Sequence, residues 1–370
     1  MSVASRAPEY IRAIRPYQPG KPISELAREM GMPESGIVKL ASNENPLGMS
    51  PAARQAIVDA LAEVARYPDG NGFALKAALS ARHGVRPEQI VLGNGSNDIL
   101  ELVASSFLRP GDAAVFSQHA FAVYPLATNA AGARCVEVPA VAYGHDLDAM
   151  AEAIDCDTRV VFVANPNNPT GTFLPGEALE AFLQRVPADV LVVLDEAYTE
   201  YLAPEQCYDA IAWLARFPNL LISRTFSKAY GLAGLRVGYA FTHPDVADLM
   251  NRVRQPFNVS SLALVAAEAA LGDQEFIARS ADLNRRGMAQ ISAALDELGL
   301  EWIPPAGNFL TFRAGKAAAV DAALLRQGVI VRPIAGYGMP EWLRVTIGLP
   351  EENLRFIDAL RAALAETRAG

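Results

Sequence analysis

Residues 160–236 contain three apolar runs, each ending in polar or turn-forming residues: VVFVANPNNPTG at 160–171, VLVVLDEAY at 190–198 and LLISRTFSKAYGLAGLR at 220–236. Runs this rich in Val, Ile and Leu are typical of strands that are buried on both faces of a parallel sheet. In such sheets, ligands bind outside the carboxyl ends of the strands. Because Asn165, Asp195 and Lys228 all follow predicted strand ends, we expect their side chains to meet in one site.

Strand-like and helix-like segments alternate on both sides of this stretch, which indicates an α/β fold with helices on both faces of a mainly parallel sheet. The predicted strands of this sheet lie at 90–92, 113–116, 134–138, 160–164, 190–194, 220–224 and 237–241. The last hundred or so residues mix helices with short strands, which is typical of a smaller α+β domain. We therefore predict an N-terminal arm at 1–46 that packs on the small domain, a large domain at 47–265 and a small domain at 266–370.

The overall composition excludes several classes of protein. The chain has 370 residues and a formal net charge of −9, which argues against a general nucleic-acid binder, because such proteins present a basic surface. Its cysteines, Cys135, Cys156 and Cys207, form no closely spaced pair, so we expect no disulfide framework and no metal site, but reduced thiols in a cytoplasmic protein. We also expect no signal peptide and no membrane span, since no apolar run approaches about 18 residues.

The surroundings of Lys228 favour binding of an anion. Thr225 and Ser227 precede it closely, and Arg236 follows eight residues later. Hydroxyl groups and a guanidinium can bind one phosphate together, the guanidinium through two hydrogen bonds at once. The lysine amine can attack an aldehyde when a desolvated site and nearby cations lower its pKa. The alternative is a solvated surface lysine, which is the commoner case for this motif in isolation.

Asp195 ends an apolar run, which places a carboxylate at the edge of a dry crevice. A ring nitrogen that must stay protonated needs such a partner. Tyr198 follows three residues later and is placed to reach a phenolic oxygen on the same ring. The alternatives are a helix N-cap and a magnesium ligand, since carboxylate pairs also bind magnesium.

Asn165 lies in a turn that Pro166 and Pro169 make rigid. Its amide can donate a hydrogen bond to a phenolic oxygen, although a plain turn is the alternative. Phe121 lies in an apolar stretch. It can stack on a cofactor ring, although an aromatic residue in such a stretch is more often part of the core.

The segment GNGSND, at 93–98, follows a predicted strand and opens a predicted helix. The backbone N–H groups of Gly95, Ser96 and Asn97 at a helix N-terminus can bind an anion. The segment lacks the third glycine of the dinucleotide-binding fingerprint, so a dehydrogenase is not favoured.

In this order along the chain, the motifs resemble those of the fold-type I, aspartate-aminotransferase-like enzymes that depend on pyridoxal 5'-phosphate (PLP). The resemblance covers nearly the whole chain and rests on KLASNENPLG, RYPDG, GNGSND, NPNNPTG, DEAY, TFSKAYGLAGLR, GNFL and LRVTIG. Within that superfamily, RPYQPGK, ASNENP and RYPDG are most similar to the histidinol-phosphate aminotransferases. The resemblance implies a seven-stranded large domain, PLP as the cofactor, and a homodimer that shares its active sites across the interface.

The same resemblance implies roles for individual residues in binding PLP. Lys228 is expected to carry PLP as a Schiff base, Asp195 to pair with its ring nitrogen, and Phe121 to stack on the ring. Asn165 and Tyr198 are expected to bind the phenolic oxygen, with Tyr198 counted among the catalytic residues. The group expected to bind the phosphate consists of Gly95, Ser96, Asn97, Thr225, Ser227 and Arg236, with Tyr67 reaching it from the neighbouring subunit.

On the substrate side, the resemblance implies that Arg344 anchors the anionic end. Arg332, Tyr17, Asn43 and Asn308 are expected to line the same side. The sequence departs from the family pattern at Phe121, where many relatives carry Tyr; stacking survives there, but any role of a hydroxyl is lost. A Gly-Ser-Asn turn also replaces the acidic variant of the phosphate turn found in some relatives.

The implied reaction converts L-histidinol phosphate and 2-oxoglutarate into imidazole-acetol phosphate and L-glutamate, in histidine biosynthesis. An aromatic-amino-acid aminotransferase and a threonine-phosphate decarboxylase on the same scaffold are the close alternatives. A non-catalytic PLP-binding regulator is a more distant alternative, because no segment is left over for a DNA-binding domain.

Overall fold

The computed structural model describes residues 2–369, which form thirteen β-strands and fourteen α-helices. The strands are β1 Val38–Lys39, β2 Ile90–Gly93, β3 Ala113–Ser117, β4 Arg134–Val138, β5 Thr158–Ala164, β6 Leu191–Asp195, β7 Leu220–Thr225, β8 Gly238–Thr242, β9 Trp302–Ile303, β10 Phe309–Arg313, β11 Val329–Ile330, β12 Arg332–Pro333 and β13 Trp342–Thr346. The helices are α1 Glu9–Ala13, α2 Ile23–Met30, α3 Pro51–Ala60, α4 Phe73–His83, α5 Ser96–Phe107, α6 Val123–Ala130, α7 Leu147–Glu152, α8 Gly176–Arg185, α9 Ala210–Trp213, α10 Pro244–Val253, α11 Ser261–Gly272, α12 Gln274–Glu297, α13 Ala317–Arg326 and α14 Pro350–Ala369.

The strands β2 to β8 form one seven-stranded sheet in the order β2–β8–β7–β6–β5–β3–β4. Only β8 runs antiparallel to its neighbours, and the other adjacent strands are parallel. The predicted α/β fold with a mainly parallel sheet is therefore confirmed, and each of the seven predicted strands agrees with an observed one to within two residues.

Side chains on both faces of this sheet are buried in most of its strands, as the apolar runs predicted, whereas the edge strand β4 is largely accessible. In β6, Val192 and Leu194 pack into one hydrophobic cluster, whereas Leu191 and Val193 pack into the other. Successive side chains of a strand point to opposite faces, so the run must be apolar throughout if helices cover both faces. Complete burial of one such side chain contributes roughly 1.5–3 kcal/mol.

The strand directions bring separate parts of the chain to one edge of the sheet. The carboxyl ends of β2, β5, β6 and β7 lie at this edge, and antiparallel β8 begins there. The segments that follow the four parallel ends, together with the segment before β8, therefore meet in space.

The C-terminal part contains a four-stranded antiparallel sheet in the order β12–β13–β10–β9. The N-terminal arm packs on this part: β1 pairs in parallel with β11, and Leu26, Ile37 and Ala41 share a cluster with Ile330. Within residues 2–369, no helix is long and apolar enough to cross a membrane.

The predicted domain boundary near residue 265 falls inside α11. The buried side chains of this helix, which include Ala263 and Leu271, all belong to one of the two clusters on the seven-stranded sheet. Asp273 then caps α12, because its side chain accepts a hydrogen bond from the backbone N–H of Phe276 at 3.1 Å. The division into domains stays a prediction, and the packing of α11 favours a boundary at Asp273 over one at 265.

Candidate active site

A cavity lies at the carboxyl edge of the seven-stranded sheet, where the arm and the C-terminal part meet it. Most of the residues predicted for the site line this cavity. They are Tyr17, Asn43, Ser96, Asn97, Phe121, Asp195, Tyr198, Thr225, Ser227, Lys228, Arg236, Arg332 and Arg344.

Lys228 follows β7, and its Nζ donates a hydrogen bond to the backbone oxygen of Ser42 at 3.0 Å. Burial, followed by the positive charges of Arg344 and Arg236, lowers the pKa of this amine from 10.5 to about 7. About half of the amines are then uncharged near neutral pH, so Lys228 can act as a nucleophile and as a base.

Asp195 is the last residue of β6 and is only 5% exposed. The Tyr124 hydroxyl donates a hydrogen bond to its Oδ2 at 3.0 Å, whereas its Oδ1 is buried without a partner. Burial raises the pKa of the carboxyl group to about 6, although the hydrogen bonds from Tyr124 and the Ala197 backbone oppose this effect. A buried acceptor without a donor is costly. The N–H of a protonated pyridine ring would satisfy Oδ1, so the predicted cofactor fits here.

Tyr198 lies beside these two groups, and Asn43 Nδ2 donates a hydrogen bond to its hydroxyl oxygen at 2.9 Å. Burial raises the pKa of Tyr198 to about 12, so the phenol keeps its proton and can donate it to an acceptor in the cavity. Asn43 is itself fixed, because its backbone N–H donates to Thr346 Oγ1 at 2.9 Å. The arm and β13 thus set the orientation of Tyr198.

The N-terminus of α5 forms an anion-binding corner with the segment around Lys228. Arg236 Nη1 donates to Ser227 Oγ at 3.2 Å, and the Ser227 N–H donates to Thr225 Oγ1 at 3.1 Å. Gly95 lets the guanidinium approach, since a Cβ atom at this position would lie 2.3 Å from Arg236 Nη2. The free N–H groups and the dipole of the helix favour an anion beside Ser96.

Two guanidinium groups line the opposite side of the cavity. Arg344 of β13 and Arg332 of β12 are register partners in adjacent strands. Arg344 is 5% exposed and donates to Asn168 Oδ1 and to the backbone oxygen of Ala41, whereas its Nε has no partner. Arg332 donates to the backbone oxygen of Gln18 at 2.6 Å. These side chains form a positive wall that can bind a carboxylate or a phosphate.

The structure does not support the role predicted for Asn165, whose side chain does not line the cavity. Its Nδ2 donates to the Leu174 oxygen and to Tyr208 Oη, both at 3.0 Å, and its Oδ1 accepts from the Leu174 N–H at 2.8 Å. The amide is therefore used to hold the loop after β5. Asn168 lines the cavity instead, because the turn carries the second Asn-Pro pair inward.

Three other predicted residues do not line the cavity. Gly95 lies behind Arg236, and Asn308, only 2% exposed, supports Asn43 by donating to its backbone oxygen at 3.0 Å. Tyr67 is 83% exposed and stacks on Phe257, with ring centroids 4.7 Å apart. Tyr67 is therefore a surface residue that does not line the cavity of its own chain.

Besides Asn168, sequence reasoning missed three groups that the structure places at the site. Tyr124 lies on α6, and its partner Asp195 is 71 residues away, so no local pattern links them. Ser42 contributes only a backbone oxygen, which carries no side-chain signal. Tyr337 also lines the cavity, and its position depends on the fold of the C-terminal part.

The family model described as aminotransferase class I and II matches residues 35–360. The chain belongs to this aminotransferase family. This aminotransferase is 64% identical over 368 residues to histidinol-phosphate aminotransferase 2 of Nitrosospira multiformis, covering 99% of this chain and 94% of that one. It is 63% identical to histidinol-phosphate aminotransferase 2 of Ralstonia nicotianae, covering 98% of both chains.

Among solved structures, the aminotransferase resembles the histidinol-phosphate aminotransferase of Sinorhizobium meliloti in complex with PLP. The TM-score is 0.89 and the identity 28%, covering 98% of both chains. The predicted fold class and the predicted aminotransferase family are confirmed. The alternatives of a decarboxylase and a non-catalytic regulator are not favoured by these relatives.

Proposed function

We propose that this chain is a PLP-dependent histidinol-phosphate aminotransferase of histidine biosynthesis. It would transfer the amino group of L-histidinol phosphate to 2-oxoglutarate, giving imidazole-acetol phosphate and L-glutamate. The observation that carries the proposal is a single cavity that joins a lysine of lowered pKa, a buried carboxylate with one free oxygen, and a wall of two arginines. The names of the two curated relatives, at 64% and 63% identity, support the choice of substrate.

PLP, when bound, supplies an aldehyde for the amino group and a protonated ring that withdraws electrons from the substrate's Cα. Lys228 Nζ would be the nucleophile that holds this aldehyde. As a free amine, the same atom would be the base that takes the proton from the substrate's Cα and the acid that returns it. A pKa of about 7 suits both tasks, because the amine exchanges a proton easily near neutral pH.

The other residues around the cofactor would hold it in place. Asp195 Oδ1 would accept the hydrogen bond of the ring N–H and keep that nitrogen protonated. Tyr198 would donate to the phenolic oxygen, and Asn168 lines the cavity beside it. Arg236, Ser227 and the N-terminus of α5 would bind the phosphate, as their mutual hydrogen bonds and the close approach at Gly95 suggest.

Both substrates carry an anion where the reaction needs an anchor. Glutamate presents a carboxylate and histidinol phosphate a phosphate, and a planar guanidinium can bind either through two hydrogen bonds. Arg344 is the proposed anchor in both halves of the reaction, with Arg332 and Tyr17 beside it. Asn168 and Ala41 use two of the five N–H donors of Arg344, so three, including the one on Nε, remain for this purpose.

We propose in addition that the protein is a homodimer whose subunits complete each other's active sites. Large apolar side chains between α3 and the start of α4 are exposed, with Val58 at 54%, Leu61 at 55%, Val64 at 52% and Phe73 at 76%. Tyr67 lies in the same stretch, and a second copy packed there would bury this surface and bring Tyr67 to the partner's phosphate corner. Sedimentation equilibrium of the purified protein tests this proposal, and a monomer would contradict it. The cytoplasmic location stays a prediction.

A substrate panel tests the proposed reaction. The purified protein, loaded with PLP, is given histidinol phosphate, phenylalanine or tyrosine with 2-oxoglutarate, and threonine phosphate alone. We expect glutamate to form with the highest kcat/KM from histidinol phosphate. Preference for an aromatic amino acid would contradict the substrate assignment, and release of carbon dioxide from threonine phosphate would contradict the reaction type.

A further inference from the structure

A tyrosine that the proposed function does not use is bonded to Asp195. Tyr124 lies on α6, is fully buried, and donates its hydroxyl proton to Asp195 Oδ2 at 3.0 Å. The other carboxylate oxygen, Oδ1, has no partner. The two oxygens of Asp195 are therefore not equivalent.

The Tyr124 ring is held so that its hydroxyl must face β6. It stacks on Phe162 of β5, with centroids 4.7 Å apart and planes at 7°, and it meets Phe121 edge to face at 5.9 Å and 86°. Aromatic pairs favour these two arrangements. Rotation of the ring toward another acceptor would break both contacts, so the hydroxyl stays directed at Asp195.

A carboxylate with one oxygen fixed cannot turn freely about its last side-chain bond. The fixed oxygen here is Oδ2, so Oδ1 keeps one direction and stays available to a donor in the cavity. Asp195 and Phe121 both line that cavity. The packing of Phe121 against Tyr124 therefore connects a predicted ring-stacking residue with the orientation of the carboxylate.

We propose that Tyr124 is the positioning residue for Asp195: its hydroxyl occupies Oδ2 and reserves Oδ1 for the ring nitrogen of PLP. The inference rests on the proposed function, because it needs a protonated ring at Oδ1. Tyr124 does not itself line the cavity, so it would act only through the carboxylate.

The charges around Asp195 support this role. Its pKa is raised by burial and by Glu196, and lowered by the hydrogen bond from Tyr124, by the Ala197 N–H and by the charge of Lys228. The neutral Tyr198 hydroxyl lies on the same side. The Tyr124 hydrogen bond favours the ionised carboxylate, which is the form that binds a protonated ring. Removal of the hydroxyl should therefore raise the pKa of Asp195 above about 6.

The test measures the affinity of the cofactor-free, full-length protein for pyridoxamine phosphate as a function of pH. This probe carries the ring and the phosphate but has no aldehyde to react with Lys228. The variants are Tyr124→Phe, Asp195→Asn and the control Thr128→Val. Thr128 is also a buried hydroxyl on α6, but it donates only to the Tyr124 backbone oxygen, at 2.8 Å.

The ionisable groups of the probe itself titrate in the same way whichever protein is present. To remove this contribution, the affinity of each protein is divided by the affinity of Asp195→Asn at the same pH. For the wild type, the ratio should fall as pH decreases through about 6. For Tyr124→Phe, the affinity ratio should decrease at a pH about one unit higher than in the wild type, as expected for loss of one hydrogen bond to a charged group. Thr128→Val should follow the wild type. A Tyr124→Phe curve that coincides with the wild-type curve overturns the inference.

Two further results are informative. If Tyr124→Phe does not fold, 3-fluorotyrosine placed at position 124 keeps the ring and makes the hydroxyl a stronger donor. The decrease in the affinity ratio should then occur at lower pH than in the wild type. An affinity ratio with the same pH dependence as the wild type overturns the inference. If Asp195→Asn binds the probe as the wild type does at every pH, the PLP assignment itself fails. A wild type that differs from Asp195→Asn but matches Tyr124→Phe removes only the role of Tyr124.

Discussion

Replacement of Asp195 by asparagine should make the cofactor-free protein more stable relative to the wild type as the pH rises. Burial raises the pKa of Asp195 in the folded protein from its ordinary value of 3.8 to about 6. Between these values the folded state binds more protons than the unfolded state. The stability of the wild type therefore falls as pH rises from about 4 to about 6. Asparagine does not titrate, so the stability of the variant does not decrease for this reason as the pH rises.

The size of this change in unfolding free energy follows from the shift in the pKa of Asp195. A shift of about two pKa units corresponds to roughly 3 kcal/mol at pH values well above 6, at about 1.36 kcal/mol per unit. At about pH 5, one unit below the folded pKa, the loss is incomplete. The difference in unfolding free energy between variant and wild type should therefore grow by about 1.4 kcal/mol from about pH 5 to about pH 7.5.

Urea unfolding of both cofactor-free proteins at these two pH values measures the difference, provided that the slopes with urea are equal. The comparison within each pH cancels titrating groups that do not interact with Asp195. The interaction with Lys228 is the weakest influence on the pKa of either group, so it changes the difference little. A difference that stays constant, or that shrinks as pH rises, would refute the claim that Asp195 is a desolvated carboxylate without a full set of partners. It would also remove the reason for a cationic ring at Oδ1.

Three further changes test the site. Lys228→Ala should abolish turnover while the fold, followed by circular dichroism, is kept; sustained multiple turnover would disprove the role of the amine. Arg344→Ala should raise KM for both glutamate and histidinol phosphate by tenfold or more, as expected for loss of charge-assisted hydrogen bonds worth about 1.5–3 kcal/mol, and a rise for only one substrate would defeat the shared anchor. Tyr67→Phe should weaken PLP binding by roughly 0.5–1.5 kcal/mol if its hydroxyl reaches the phosphate in the dimer, and unchanged PLP affinity measured by equilibrium dialysis would count against that contact.

The sequence predicted the sheet well because most of its strands are buried on both faces and therefore read as largely apolar runs. The exception is β4, in which Arg134 and Glu137 are exposed. The ends of β6 and β7 followed from the same runs, and with them the placement of Asp195 and Lys228. The prediction for Arg236 came from its position eight residues after Lys228. The prediction for Arg344 came from the family resemblance, since Arg344 has no local pattern that would identify it as a ligand-binding residue.

The failures have a common physical cause. Asn165 and Asn168 are both followed by proline, so the sequence does not distinguish them. The path of the loop decides that Asn168 lines the cavity, whereas the amide of Asn165 forms hydrogen bonds with Leu174 and Tyr208. Tyr124 was not predicted to belong to the site, because a hydrogen bond between residues 71 positions apart leaves no pattern in sequence spacing. The domain boundary near 265 stays a prediction; it lies within α11, an alanine-rich helix whose one charged residue is the exposed Glu268.

The central claim is that Lys228 is the amine that carries PLP. The most direct measurement is to reduce the PLP-loaded protein with borohydride, digest it, and locate the modified lysine by mass spectrometry. We expect the reduced pyridoxyl group on Lys228 alone, and no stoichiometric modification in Lys228→Ala. Stoichiometric modification of another lysine, with Lys228 unmodified, would contradict the whole account.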